Sequence, residues 1–301
     1  MKYKKWLLKN TQSLKGKWIA LSGATGGLGS KIAEYVAYLD GNLIFLDRNL
    51  KRSTALKNKI SEKYKEISIE LITVDMAEID TVISAAELLK GYNLFALIHN
   101  AGAYCIPRYK CSTGYDNVFQ INFISPYYLT RELMPVLRKN GGRVVTVGSI
   151  AHNYSKTDKT DIDFKSRTKS SLVYGNSKRF LMFAHSELFK NEKNVHLAVV
   201  HPGITFTNIT AHYPKLIFAV IKYPMKIIFM KPEAAALSIL SGLFKSTDYG
   251  FWIGPEFFNV WGLPTMKKLK TCTTDESKFI SSAAEYIYKN IKSTEKQKQN
   301  K

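Results

Sequence analysis

The sequence predicts an α/β fold: a doubly wound parallel sheet flanked by helices, in a single domain. Three observations carry this. From Lys17 onward, short β-branched apolar runs alternate with longer amphipathic stretches, the pattern of repeated strand–helix units. The runs are nearly all apolar rather than alternating, as strands covered on both faces require. With 301 residues, 45% of them hydrophobic and 23% charged, the chain is long enough to bury a substantial core.

Taken in order, Trp18 to Ser22 is the first strand, and Lys31 to Leu39 follows with apolar residues at three- and four-residue spacing. The same alternation gives strand Leu43 to Leu46 with helix Leu50 to Tyr64, strand Ile67 to Val74 with helix Ile79 to Lys90, and strand Leu94 to His99 with helix Tyr115 to Lys139. Strand Arg143 to Gly148 precedes helix Leu172 to Lys190, and Val195 to Val200 is the sixth strand. Ser155 to Ser171 is polar and highly charged, so it reads as a long surface loop. Ile204 to Lys231 is rich in Phe, Ile, Tyr and Pro with scattered Lys, and reads either as a substrate-covering segment or as a helix pair packed on the domain. The expected organisation is a basic N-terminal extension (1–16), the main domain (17–273) and a basic C-terminal helix or tail (274–301).

The 44 Lys and Arg outnumber the 24 Asp and Glu, a formal charge of +20 that favours anionic partners without choosing among them. Six lysines fall in the first seventeen residues and five from Lys289 onward, which reads as solvated ends. No nucleic-acid-binding motif accompanies the charge, so nucleic acid is not an expected partner. The aromatic-basic start, Tyr3 to Trp6, leaves open peripheral contact with an anionic membrane surface. Cys105, Cys111 and Cys272 are an odd number without metal-ligand spacing, which fits a reducing cytoplasm. The histidines lack metal-ligand spacing too, and no Gly-x-Ser-x-Gly elbow supports a hydrolase.

Directly after the first strand stand Ser22, Gly23, Ala24, Thr25, Gly26, Gly27, Leu28 and Gly29. Glycines between a strand and a helix let the backbone turn sharply and approach a diphosphate, whose charge is favoured at the helix amino end. The plain alternative is a glycine-rich turn packed on the sheet. Asp47 ends the second strand, eighteen residues after Gly29, where such folds place an acid on the adenine ribose hydroxyls. That favours NAD. The adjacent Arg48 would suit a 2′-phosphate and keeps NADP open.

Tyr174 and Lys178, four residues apart, share one helix face. A neighbouring ammonium stabilises phenolate, so the pair suits a tyrosine acid/base. Tyr288 and Lys292 repeat the spacing but lie beyond the sheet and are set aside. Ser149 stands at the carboxyl end of the fifth strand, where open α/β sheets bind ligands. It is placed either to hydrogen-bond a substrate oxygen or simply to cap a turn.

Together these motifs resemble the short-chain dehydrogenase/reductase superfamily over roughly Lys17 to Pro255, and the resemblance implies a Rossmann-type fold. The glycine loop is similar to that family's cofactor motif, with Ser22 in place of the commoner threonine. His99-Asn100-Ala101-Gly102 resembles its Asn-Asn-Ala-Gly strand end, departing at His99. Ser149, Tyr174 and Lys178 match its catalytic residues, and Asn122 matches the asparagine that completes the tetrad. Asp75 resembles the acid beside the adenine ring. Pro202-Gly203-Ile204 through Thr207 resembles the segment that holds the nicotinamide carboxamide. The 25 residues from Ser149 to Tyr174 and the run Gly148 to His152 are similar to the retinol-dehydrogenase-like branch.

The resemblance implies an NAD(P)-dependent oxidoreductase acting on a secondary alcohol or ketone, or on a lipophilic alcohol or aldehyde of steroid or retinoid type. Tyr174 would exchange the hydroxyl proton and Ser149 would orient the oxygen. Lys178 would lower the phenol pKa and bind the nicotinamide ribose, and Asn122 would hold a water. It also implies pairing through the helices Tyr115 to Lys139 and Leu172 to Lys190, as a homodimer or homotetramer. The alternative function is a non-catalytic dinucleotide sensor or scaffold with the same fold.

Overall fold

The computed structural model describes residues 2–204, 230–269 and 272–299. In chain order, α1 (Lys2–Asn10) precedes β1 (Trp18–Ser22), α2 (Gly29–Tyr38), β2 (Asn42–Asp47), α3 (Leu50–Lys63), β3 (Ile69–Thr73), α4 (Ile79–Lys90) and β4 (Leu94–His99). A short α5 (Asn117–Phe119) runs through a π turn, Gln120–Ile124, into α6 (Ser125–Lys139). Then come β5 (Arg143–Val147), a 3-10 turn (Ile150–Asn153), α7 (Ser170–Leu188) and β6 (His196–Val200). The described chain closes with α8 (Pro232–Gly242), β7 (Phe251–Phe257), β8 (Trp261–Lys268) and α9 (Thr274–Gln299).

The eight strands of the described residues form one sheet in the order β3-β2-β1-β4-β5-β6-β7-β8. Every pairing is parallel except that of β8 with β7. Strand order reverses between β1 and β4, which opens a crevice at their carboxyl ends, the place where such sheets bind ligands. The core lies on both faces of the sheet, and Ile19, Leu43, Phe45, Leu97 and Val144 are wholly buried.

The six expected strands and five expected helices are all present, with ends moved by one or two residues; Asp47 falls inside β2. The other elements were hidden from a periodicity reading. Strands β7 and β8 carry Gly254, Pro255, Gly262 and Pro264, which break an apolar run. Two corrections concern the chain ends, which are not solvated tails. In α1, Leu7 is fully buried against the layer containing Ile32 and Val36. In α9, Ile280, Ala284, Ile287 and Ile291 form a buried stripe at four- and three-residue spacing, beneath lysines that face outward.

Helix α9 packs along α7 and α6, the helices through which the resemblance implies pairing between copies. Buried Glu132 on α6 accepts a hydrogen bond from Tyr288 Oη (2.6 Å) and pairs with Lys292 (3.3 Å) and Lys90 (3.0 Å). The second tyrosine–lysine pair is thus a docking device for α9. The loop before α7 is also less external than its composition suggests. Asp163 accepts the Asp116 amide (2.9 Å), and Phe164 packs with Val118 and Val173. Asp161 and Asp163 are buried there because main-chain donors satisfy them.

Among the described residues no helix is long and apolar enough to cross a membrane. Residues 205–229, most of the aromatic segment with its Thr207, lie outside the described residues.

Candidate active site

The carboxyl ends of β1 and β4 are stitched together by one hydroxyl. Ser22 Oγ donates to the Ile98 carbonyl (3.2 Å) and accepts from the amides of Asn100 (3.1 Å) and Ala101 (3.0 Å). Asn100 Nδ2 returns to the Ser22 and Gly23 carbonyls at 3.0 and 3.1 Å. The turn above them needs glycine for want of space. A Cβ on Gly29 would lie 2.0 Å from the Gly23 carbonyl oxygen, and Gly23 itself has φ +68°. The amino end of α2 is thereby brought over the crevice.

At one end of the crevice, Asp47 is buried and accepts from Thr25 Oγ1 (3.1 Å) and Ser53 Oγ (3.4 Å). Burial raises its carboxyl pKa, and these hydrogen bonds, with that from the Thr25 amide, offset the rise only in part. Arg48 is exposed beside it. Asn49 caps α3 by accepting the Arg52 amide (3.0 Å), and the exposed Arg52 lines the same cleft. Asp75 accepts the Ala77 amide (2.9 Å), which fixes the turn after β3.

At the other end, Ser149 and Tyr174 line the cleft together, and the Ser149 side chain stands close enough to the phenol to lower its pKa. Ser149 Oγ also accepts the Ala151 amide (3.2 Å), so the residue caps the turn while lining the cleft. Burial pushes the Tyr174 phenol up to about 12, against the lowering effect of Ser149. Lys178 Nζ lies 5.9 Å from the Tyr174 ring centroid and donates to the Val147 carbonyl (2.9 Å). Its burial brings the ammonium down to about 8. The expected lowering of the phenol by Lys178 does not show here: burial dominates, and the Tyr174 phenol is protonated at neutral pH.

Asn122 does not line the cleft. It is fully buried behind Gly102, its Nδ2 donating to the Ala103 carbonyl (2.9 Å) and Ser177 Oγ (2.9 Å) while Oδ1 accepts the Ala103 amide (2.8 Å). It sits in the π turn, and Pro126, four residues on, has no N–H to give its carbonyl in α-helical register.

The cleft is about 830 Å³ and runs from Gly23, Thr25, Gly26, Gly27, Leu28 and Gly29 past Asp47, Arg48 and Asp75. It continues by Asn100, Ala101 and Gly102 to Ser149, Tyr174, Lys178, Pro202, Gly203 and Ile204. A glycine cradle that a Cβ would fill, backbone donors at a helix start and an acid at the far end together fit a nicotinamide dinucleotide.

Sequence reading missed several residues. Tyr104 meets Tyr174 edge to face (5.2 Å between centroids), and Ile106 and Tyr154 share the wall. Nothing in their spacing marks them, because a loop folds them in. His201, also on the wall, stacks on Trp252 at 4.9 Å and donates from Nε2 to the Asn259 carbonyl (3.1 Å). His152 Nδ1 donates to the Ser149 carbonyl at 2.6 Å. Among the described residues no cluster could hold a metal ion.

Comparison with known proteins follows the same outline. The chain is 29% identical over 246 residues to dehydrogenase/reductase SDR family member FEY of Arabidopsis thaliana, 76% of this chain and 64% of that protein. It therefore spans less than two thirds of FEY's length. It is 25% identical over 259 residues to human polyprenol dehydrogenase, covering 80% of this chain and 74% of that one. An uncharacterised protein of Mycobacterium paratuberculosis has the same fold, with a TM-score of 0.72 at 20% identity over 92% of this chain and 95% of its own. Residues 17–215, which hold the glycine cradle, Asp47, Asn122, Ser149, Tyr174 and Lys178, match the model of the short chain dehydrogenase family, and the chain belongs to that family.

Proposed function

We propose that the chain transfers hydride between a nicotinamide dinucleotide, NAD in preference to NADP, and a lipophilic alcohol or its carbonyl counterpart. The observation that carries this is convergence: Ser149, Tyr174 and Lys178 stand at one end of the cleft whose other end holds Asp47. Bound in the cradle, the dinucleotide would supply the hydride acceptor or donor. Tyr174 gives the substrate oxygen its proton in reduction and takes it in oxidation, and Ser149 orients that oxygen. Lys178 holds the nicotinamide ribose hydroxyls. The Asn122 carbonyl, without a donor from Pro126, holds a water that passes protons toward solvent.

The lipophilic side rests on Tyr104, Ile106 and Tyr154 around the phenol, and on similarity to a polyprenol dehydrogenase. NADP is the second reading for the cofactor, favoured by Arg48 and Arg52 beside Asp47. The test is turnover of a panel of secondary alcohols, steroids and retinoids with each cofactor, read at the nicotinamide absorbance band. Tyr174→Phe should lower kcat at least about a hundredfold, the scale of general acid catalysis, with dinucleotide binding intact. Substantial residual turnover in that variant rejects the mechanism. Dinucleotide binding without turnover of any substrate favours a sensor.

A further inference from the structure

The catalytic helix carries a second cation, one residue beyond Lys178. Arg179 is almost wholly buried, with its guanidinium forked onto one carboxylate of α9: Nε donates to Glu276 Oε1 and Nη2 to Glu276 Oε2, each at 2.6 Å. Its Nη1 donates to the His152 carbonyl (3.0 Å), inside the 3-10 turn that follows Ser149. Glu276 Oε1 accepts in addition the Thr157 amide (2.9 Å), at the start of the loop leading to α7. A single carboxylate on the first turn of α9 thus ties together the helix bearing Tyr174 and both ends of the segment 152–157.

Burial alone would raise the Glu276 carboxyl, but the Arg179 and Thr157 hydrogen bonds overcome it and hold the group near 2, so the clamp is charged throughout the working pH range. From His152 the chain of contacts reaches the reacting atoms. His152 Nδ1 and amide both donate to the Ser149 carbonyl, at 2.6 and 3.2 Å, and the Ser149 side chain shares the cleft wall with Tyr174 and lowers its phenol pKa. The turn is pressed against α7, since a Cβ on Gly175 would stand 2.4 Å from the Ala151 carbonyl.

We propose that Glu276, acting through Arg179 and His152, is a positioning residue that sets the Ser149 hydroxyl against Tyr174. Its source outside the strands and loops that build the cleft makes it separable from cofactor binding. The inference rests on the reading of Ser149, Tyr174 and Lys178 as the reacting group. Loss of the clamp lets the turn drift, and misplacement of a hydroxyl by about 1 Å is enough for a loss on the order of a hundredfold in rate.

The test compares Glu276→Ala, Glu276→Gln and Tyr174→Phe with the unaltered protein, for turnover, dinucleotide binding by nicotinamide fluorescence, and amide hydrogen exchange. Glu276→Ala should lower kcat at least about tenfold with the dinucleotide dissociation constant unchanged, and Glu276→Gln, which keeps two of the acceptor positions, should recover part of it. Because Ser149 lowers the phenol pKa, the rise of alcohol oxidation with pH should move to higher pH in Glu276→Ala. A merely structural role would lower the amount of folded protein and leave that profile in place. Exchange at residues 149–157 should quicken while peptides of β1 and β4 stay protected. Unchanged kcat and pH profile in Glu276→Ala, beside an inactive Tyr174→Phe, overturns this inference and leaves the function standing. If no substrate turns over, unchanged exchange at 149–157 overturns it equally.

Discussion

Lys178 has its charge set by burial, which brings the ammonium to about 8. It is charged below that pH and neutral above it, so dinucleotide affinity should weaken as pH rises through about 8. Lys178→Met should bind more weakly at neutral pH and lose this dependence, as fluorescence titration at several pH values would show. At the opposite end, Asp47→Ala should move the ratio of kcat/KM values toward NADP by about tenfold or more, because it removes a carboxylate that repels a 2′-phosphate while Arg48 and Arg52 remain. An unaltered protein that already prefers NADP would assign the choice to the two arginines. These residues were readable from sequence because each sits at a strand end or one helical turn from its partner. Asn122 was identified only by resemblance, since its place depends on a π turn, which spacing does not reveal. Arg179 and Glu276 were not identifiable at all, for they stand 97 positions apart and meet only when α9 docks.

Helices and strands whose partners are near in sequence declared themselves by period. Strands β1 to β6 are continuous apolar runs bounded by amphipathic helices, and α4 was placed to the residue because Ile79, Val82, Ala85, Ala86 and Leu89 keep one face. Strand β8 shows no such run, since it lies at the sheet edge with Trp261, Leu263 and Met266 exposed. The contact between α7 and the 3-10 turn offers a prediction at this scale. Gly175→Ala introduces a methyl 2.4 Å from the Ala151 carbonyl, which must push the turn from the helix. Overpacking of this kind destabilises by about 1–3 kcal/mol. Denaturant unfolding should register that loss, and kcat should fall with it.

For the whole molecule, buried histidines set the response to acid. Burial holds His185 near 3 and His201 near 4, and holds His99 well below its usual value. Unfolded histidine titrates near about 6.5, so as pH falls from there toward each folded value the unfolded chain takes up a proton that the folded chain refuses. Stability is then complete above about 6.5 and declines by about 1.4 kcal/mol per pH unit for each such histidine. The urea midpoint should drop between pH 7 and 5, less steeply in His185→Asn. The seating of α9 has a consequence in time. Synthesis proceeds from the amino end, so the eight described strands and α7 exist before α9 is made. Until then the flank of α6 and α7 that Ile280, Ala284, Ile287 and Ile291 close is open to other nascent chains. The growing polypeptide should therefore pass through an interval in which the described strands are made while that apolar flank still awaits its cover, and α9 ends the interval by folding back onto helices made long before it.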